Sequence, residues 1–207
     1  QPMGSDVWLV MEWWATLFLC GAFAFPIAKR LFAGWYDDGY LFAKAVGIVL
    51  VTYIVYLAGS LRLLPFTKPT IFFSLGVMFL VCLFFRDRKG GKRFDGKRIL
   101  LIVCEELFFF AALVFWSWIK GHQPEIHDLE KFMDFGFVNS VLHSRFFPAP
   151  DMWYAGGTIN YYYFGHIVLA VLTKFSGIDL AYTFNLMLAS IFAFTLTMSF
   201  SIGVQLG

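Results

Sequence analysis

The sequence predicts an all-α fold: a polytopic integral membrane helical bundle of about six transmembrane helices, with a long outer loop that contains a short interfacial helix. Apolar residues make up 59% of the 207 positions and charged residues only 14%, whereas soluble domains carry about 25% charged residues. The chain also contains 27 phenylalanines. A core of this size cannot bury so many aromatic rings, so lipid must solvate the surplus, and a soluble globular domain is excluded.

Six apolar runs give the expected crossings, because a helix needs about 20 apolar residues to cross a bilayer. The runs cover residues 8–28, 41–64, 69–85, 99–119, 161–175 and 182–202. The third and the fifth are short for a crossing. We divide the chain into residues 1–98, with three helices and a basic turn, and residues 99–207, with one helix, an outer loop at 120–159 and two further helices.

The basic turn at residues 86–98 carries seven Lys or Arg and sets the expected orientation. Cytoplasmic loops of membrane proteins carry an excess of these residues. With the amino terminus outside, the inner loops hold eleven Lys and Arg, Lys44 and Lys174 among them, and the outer loops hold five. This orientation makes the turn cytoplasmic and the 120–159 loop exoplasmic. The turn could also be a nucleic-acid or lipid-binding patch, but its topogenic role suffices, and we expect no nucleic-acid partner.

Two acids, Glu105 and Glu106, lie inside the fourth apolar run. Acids within a membrane segment are costly and by default indicate function. They could equally extend toward the interface or pair with the basic turn. The three cysteines lie in separate apolar runs without CxxC spacing, which predicts small buried side chains rather than a metal site or a disulfide framework.

The outer loop concentrates the polar residues of the chain, and two of its acids lie on a predicted short helix. Glu130 and Asp134 are four residues apart and share a helix face, where two like charges repel. They are either solvated acids of an interfacial helix or a pair neutralised by a basic partner or a divalent cation. With His127 and Asp128 they could ligate a metal, for which the oxygen-rich set would suit Mg²⁺ or Mn²⁺. The spacing matches no specific metal motif, so the cofactor is unknown.

Three consecutive tyrosines, Tyr161, Tyr162 and Tyr163, begin the fifth apolar run, with Asn160 before them and His166 shortly after. Such a run is typical of an aromatic belt at the membrane interface. The three rings project from different sides of a helix, however, and cannot all face one headgroup layer. Hydroxyls over a polar loop could instead bind sugar or phosphate.

Three segments of the loop resemble the signature of a known family. Residues 124–135 (PEIHDLEKFMDF), 147–153 (FPAPDMW) and 157–166 (GTINYYYFGH) are similar to the YYY-type polytopic membrane proteins of bacteria and archaea, which are uncharacterised. The resemblance covers essentially the whole chain and implies a location in the plasma membrane. Members of that family are considerably longer, which implies that this chain is an amino-terminal piece.

A more distant resemblance is to the GT-C glycosyltransferases, which include protein mannosyltransferases and aminoarabinose transferases. In these enzymes a helix leads to an outer loop where an acid begins a short helix, followed by a Pro-rich stretch and an aromatic helix start that ends in a Lys-x-x-Gly turn. This chain has Glu130, residues 147–150, residues 161–164 and residues 174–177 at those places. It differs in having Glu rather than Asp as the acid, Lys131 in place of a second acid, and three extra helices upstream.

The GT-C resemblance implies an enzyme that transfers a sugar from a polyprenyl-phosphate donor on the exoplasmic face. Glu130 would be the general base, and Asp134 would position the acceptor or help to hold a cation. The expected substrate-binding residues stabilise the departing phosphate or shape the sugar and lipid groove; they are Lys131, Arg145, Asn160, Tyr161, Tyr162, Tyr163 and His166. Expected partners are membrane lipids and the lipid-linked sugar donor.

A different class of function is a non-catalytic membrane protein that binds or carries lipid-linked glycans, or a transporter subunit. This class predicts lipid binding without turnover and tolerance of carboxylate substitution. Sparse intramembrane charge and the lack of a visible inverted repeat argue against a transporter. Turnover of a lipid-linked sugar would distinguish an enzyme from a carrier.

Overall fold

A computed structural model of the protein describes residues 3–84, 96–127, 130–161 and 163–207. The described residues form seven α-helices, with an irregular segment between α5 and α6. In chain order the helices are α1 (Met3–Leu31), α2 (Tyr40–Ser60), α3 (Lys68–Phe84), α4 (Gly96–His122), α5 (Lys131–His143), α6 (Phe164–Ser176) and α7 (Leu180–Leu206). The all-helical fold class is therefore confirmed. Most of the basic turn, residues 86–95, lies outside the described residues, as do Asp128 and Tyr162.

Four helices, α1, α2, α4 and α7, are long and apolar enough to cross a membrane. At a rise of about 1.5 Å per residue, the 17 residues of α3 reach roughly 26 Å, slightly less than the hydrocarbon core of about 30 Å. Helix α5 is the short helix expected in the outer loop. The finer prediction of six transmembrane helices is not confirmed.

The long helices alternate in direction and form one bundle. Aromatic rings align α4 with α7: Trp116 stacks on Phe192 with ring centroids 4.4 Å apart, and Phe108 contacts Phe200 at 5.4 Å. Residue numbers rise along one helix as they fall along the other, so the two helices are antiparallel. The end of the bundle that carries α5 is called the outer end below, and the end that carries the α1–α2 connection is called the inner end.

Helix α6 corrects the expected fifth crossing at residues 161–175. It has 13 residues, which span roughly 20 Å, too short for the hydrocarbon core. Both of its ends lie at the outer end: Phe164 packs on Tyr56 in the last turns of α2, and Phe175 packs on Phe72 near the start of α3. Residues 167–173 are all buried by protein. The apolar side chains of α6 are therefore buried by protein, and α6 is an internal helix. Because α6 returns to the outer end, α7 begins at the same end of the bundle as α6.

Small residues permit the closest helix contact, between α1 and α2. A Cβ atom on Gly47 would lie 2.1 Å from the backbone oxygen of Cys20, so only glycine fits there. Cys20 and Ala24 on the facing helix are fully buried. This is the packing typical of membrane helices, in which small residues let two backbones approach. The expected burial of the cysteines holds for Cys20 and Cys82, whereas Cys104 is exposed on the apolar exterior of α4.

The outer surface of the bundle is strongly apolar. Large side chains such as Phe72, Phe73, Leu80, Leu107 and Trp118 are more than half exposed. Monomeric proteins in water rarely expose such a continuous apolar surface. The surplus of phenylalanine in the composition therefore faces outward, as expected for a protein solvated by lipid.

The position of α6 predicts which helix ends share a side of the membrane. Because α6 returns to the outer end, α7 runs to the inner end, where the Gln205 side chain accepts a hydrogen bond from the backbone of Tyr36. We expect single cysteines at Thr158 and Gln205, in a cysteine-free background, to react with an impermeant thiol reagent from opposite sides. A cysteine at Gly96 should react from the same side as Gln205. Reaction of the Thr158 and Gln205 positions from one side would contradict this arrangement and support six crossings.

Candidate functional site

The outer end is organised by two parallel helices, α5 and α6. Asp134 contacts His166, and the backbone oxygen of Leu142 accepts a hydrogen bond from Lys174. Both contacts join residues 32 apart in sequence, so the helices run in the same direction in register. This pairing requires α6 to stay at the outer end, where its polar side chains can meet those of α5.

Asp134 and His166 form the most defined polar contact among the predicted site residues. His166 donates a hydrogen bond from Nε2 to Oδ1 of Asp134 at 3.0 Å. The Asp134 side chain is 38% exposed and that of His166 is 14% exposed. The Phe137 ring packs edge-on against the imidazole, with centroids 5.5 Å apart, and fixes its plane. Within the described residues, Nδ1 of His166 is buried without a hydrogen-bond partner.

The structure separates the two acids that the sequence pairs. Glu130 is the exposed residue that precedes α5, and its backbone oxygen accepts the hydrogen bond of the Asp134 amide. Asp134 is one turn further along and is held by His166. Lys131 lies between them and extends to the backbone oxygen of His127 at 3.5 Å. The proximity of Glu130, Lys131 and Asp134 follows from helix geometry, and Asp134 is in addition oriented by His166 of a second helix.

The tyrosines of the triplet diverge. Tyr161 is exposed and packs against Phe137, with ring centroids 6.2 Å apart. Tyr163 points inward against Tyr56 on α2, and burial raises the pKa of Tyr163 to about 12, with the neighbouring Tyr56 adding to the shift. Tyr162 lies outside the described residues. Asn160 is exposed next to Tyr161. The outward half of this segment, Asn160 and Tyr161, is therefore the half available to a ligand near Asp134.

Arg145 lies apart from the Asp134–His166 pair. It follows Asp134 by eleven residues, or roughly 16 Å along the helix direction. It lines a cavity of about 450 Å³ that also includes Arg62 and His143. Among the described residues, no group of three or more His, Cys, Asp or Glu side chains is placed to hold a metal ion. Asp128 lies outside the described residues, so the predicted Mg²⁺ or Mn²⁺ set of His127, Asp128, Glu130 and Asp134 stays a prediction.

Lys174, counted from the sequence as an inner-loop charge, lies at the outer end. Its ammonium group donates to the backbone oxygens of Phe66 at 2.9 Å and Leu142 at 3.0 Å, and sits 3.9 Å from the centroid of the Phe66 ring. Burial lowers the pKa of Lys174. This side chain links the α2–α3 connection to α5 and so helps to hold α5 in position. In the sequence, Lys174 stood out only as the first residue of the Lys-x-x-Gly turn in the GT-C resemblance.

A second polar cluster lies at the inner end and involves the acids of the fourth run. Glu106 accepts three hydrogen bonds: from Lys44 Nζ at 2.5 Å, and from Tyr40 Oη and Trp14 Nε1 at 2.6 Å each. Lys44 is 2% exposed, although the sequence suggested a loop charge. Glu106 is therefore held inside the bundle by these three donors and does not extend to the interface. The described end of the basic turn, Arg98, forms an ion pair with Asp38.

The fold and its apolar exterior define the class of protein, a helical integral membrane protein. Residues 50–207 match the family described as uncharacterized membrane protein (DUF2298), and the chain belongs to this family. No curated protein and no solved structure matches the chain. The family match confirms the prediction of an uncharacterised membrane protein family. The YYY subdivision and the likeness to GT-C enzymes stay predictions.

The Lys44–Glu106 pair makes a stability prediction. Removing one member of a buried ion pair leaves the other charge uncompensated and costs about 3–5 kcal/mol. We therefore expect Lys44→Met to lower the free energy of unfolding in detergent by about that amount, and the double variant Lys44→Met/Glu106→Gln to recover part of the loss. Lys29→Met is the control, because its ion pair with Asp38 is partly exposed. Purely additive losses in the double variant would show that the pair is not coupled.

Proposed function

We propose that the protein is a membrane glycosyltransferase of the GT-C kind that uses a polyprenyl-phosphate-linked sugar at its outer end, with Asp134 as the general base. The contact that supports this proposal is the hydrogen bond from His166 to Asp134. A general base needs an accessible oxygen and a fixed orientation. Asp134 has both, because its side chain is partly exposed while a second helix holds one of its oxygens.

The proposed reaction is an inverting substitution at the anomeric carbon of the sugar. The free carboxylate oxygen of Asp134 takes the proton of an acceptor hydroxyl as that oxygen forms a bond to the anomeric carbon. The bond from that carbon to the phosphate oxygen breaks, and the phosphate leaves with the electron pair. His166, with its proton on Nε2, keeps the carboxylate oriented. The atoms and charges balance without a further reactant.

Two assignments differ from those made on the resemblance. The role of the base moves from Glu130 to Asp134, because Glu130 is exposed and not held by a second helix. Arg145 is too distant to stabilise the phosphate that leaves a sugar bound at Asp134. Lys131 takes that role, since side chains three residues apart lie on one face of a helix and its ammonium group can reach the same ligand.

The test compares acid variants in native membranes. We expect Asp134→Asn to lower transfer of radiolabelled sugar from a panel of polyprenyl-phosphate-linked hexoses by about 100-fold or more, the usual effect of losing a general base. His166→Gln should cause a smaller loss. Glu125→Gln is the control, because Glu125 is an exposed acid of the same loop. Full transfer by Asp134→Asn would exclude it as the base, and abolition by Glu130→Gln alone would return that role to Glu130.

A second function, binding of lipid-linked glycans without turnover, is favoured by the cavity around Arg145. Its charged and ionisable lining groups are Arg62, His143 and Arg145, and the hydroxyls of Ser140, Ser144 and Thr158 also line it. Guanidinium groups bind phosphate in paired hydrogen bonds. With no acidic residue in its lining, the cavity suits an anionic group such as the phosphate of a carrier lipid.

Phosphate binding in this cavity can be measured separately from transfer. We expect Arg62→Gln and Arg145→Gln each to weaken binding of polyprenyl phosphate in vesicles about tenfold, because a hydrogen bond to a charged group contributes about 1.5–3 kcal/mol. Lys68→Gln, an exposed lysine at the same end outside the cavity lining, should bind as the unaltered protein does. Equal weakening by Lys68→Gln would indicate general charge attraction. Binding without any sugar transfer would favour the carrier over the enzyme.

A further inference from the structure

Three elements meet at the inner end around the second acid of the fourth run. Glu105 on α4 is 4% exposed. The hydroxyl of Tyr36, in the α1–α2 connection, is close to both the Glu105 carboxyl group and the hydroxyl of Ser201 on α7. Among the described residues, these oxygen atoms are buried without a hydrogen-bond partner. Four buried oxygens from three elements thus lie near one another, and the described residues supply no further partner for them.

The charges around Glu105 do not balance. Lys44 is engaged by Glu106 at 2.5 Å, and Arg98 and Lys29 both contact Asp38. The Asp37 carboxylate, which also faces Glu105, accepts the backbone N–H groups at the start of α2 and adds negative charge.

The remaining groups around Glu105 are neutral. Burial raises the pKa of Tyr36, so its hydroxyl stays protonated. The end of α7 contributes the hydroxyl of Ser201 and the amide of Gln205, which contacts the backbone of Tyr36. Among the described residues, this leaves the Glu105 carboxylate as a buried anion that shares its neighbouring cation, Lys44, with Glu106.

An isolated buried carboxylate is costly, and a protein relieves the cost by protonation or by binding a cation. The donor set here consists of a carboxylate and two hydroxyls. These hard oxygen ligands suit hard cations and offer nothing to metals that prefer nitrogen or sulfur. The Asp37 carboxylate is already stabilised by two backbone N–H groups, so Glu105 is the charge that remains to be neutralised, and one positive charge is enough for it.

We propose that Tyr36, Glu105 and Ser201 bind one monovalent cation, either a proton carried on Glu105 or a Na⁺ held by the oxygens of the three side chains. The cation enters from the inner end, where the α1–α2 connection covers the site. Its binding ties α4, α7 and that connection together. The site is independent of the proposed transferase function, which lies at the opposite end of the bundle.

Infrared spectroscopy of the protein in lipid nanodiscs tests the proton. In Na⁺-free buffer at neutral pH, we expect the carbonyl stretch of a protonated carboxylic acid, lost in Glu105→Gln and retained in Glu12→Gln, a variant of an exposed acid on α1. If Na⁺ is the natural occupant, adding NaCl removes this band and raises the Tm of the unaltered protein. Choline chloride then has no such effect, and the Tm of Glu105→Gln does not respond to Na⁺.

Ser201→Ala provides a second, milder test. It should shift the midpoint of the response, in pH or in Na⁺ concentration, by about tenfold, because one of the oxygen ligands is removed. Ser199→Ala, two residues away and exposed on the same helix, should not shift it. If Glu105 remains ionised in Na⁺-free buffer and Na⁺ leaves the Tm unchanged, the site binds neither ion and the proposal is overturned. An unshifted midpoint in Ser201→Ala overturns the assigned ligand set.

Discussion

The bundle depends on the pairing of polar groups between its helices, away from water. Lys44 and Glu106 meet between α2 and α4, and Trp14 of α1 donates to the same carboxylate. A charge in a membrane segment is tolerated when it is paired and hydrogen-bonded, so this contact fixes three helices relative to one another. Close packing at Gly47 brings α1 and α2 together on the same side. Rotation of α2 or α4 would leave a charge unpaired, and rotation of α1 would remove the hydrogen bond of Trp14, so these contacts make the arrangement of the inner end specific.

The outer end depends on a different constraint, the shortness of α6. Helix α6 has only 13 residues and is buried by protein at the outer end, so the polar residues at both of its ends lie near the loops of that end. His166 then reaches α5 at one end of α6, and Lys174 reaches the backbone of α5 at the other. A full crossing would have carried Lys174 to the opposite side of the membrane and removed this support. The geometry of the Asp134–His166 pair is thus a consequence of topology.

Composition and periodicity predicted α1, α2, α4 and α7 well, because a helix that crosses lipid appears in the sequence as a long apolar run. They misplaced α6, since burial by protein and burial by lipid select the same side chains, and only its length distinguishes the two. Asp134 and His166 were both identified as candidate site residues, but their contact joins residues 32 apart and depends on α6 staying at the outer end. The partner of Glu106 could not be predicted either, because Lys44 lies 62 residues away and looked like a loop charge.

The two polar centres cannot share one chemical step. Glu105 and the outer end of α4 at His122 are 17 residues apart, or roughly 26 Å at 1.5 Å per residue. A proton on Glu105 is therefore out of reach of any sugar bound near Asp134. Coupling between the ends would need an element with two arrangements that both sites bias, whereas the aromatic contacts between α4 and α7 form a continuous packed seam. The cation site proposed at Glu105 and the transfer or binding site proposed at the outer end would therefore act separately.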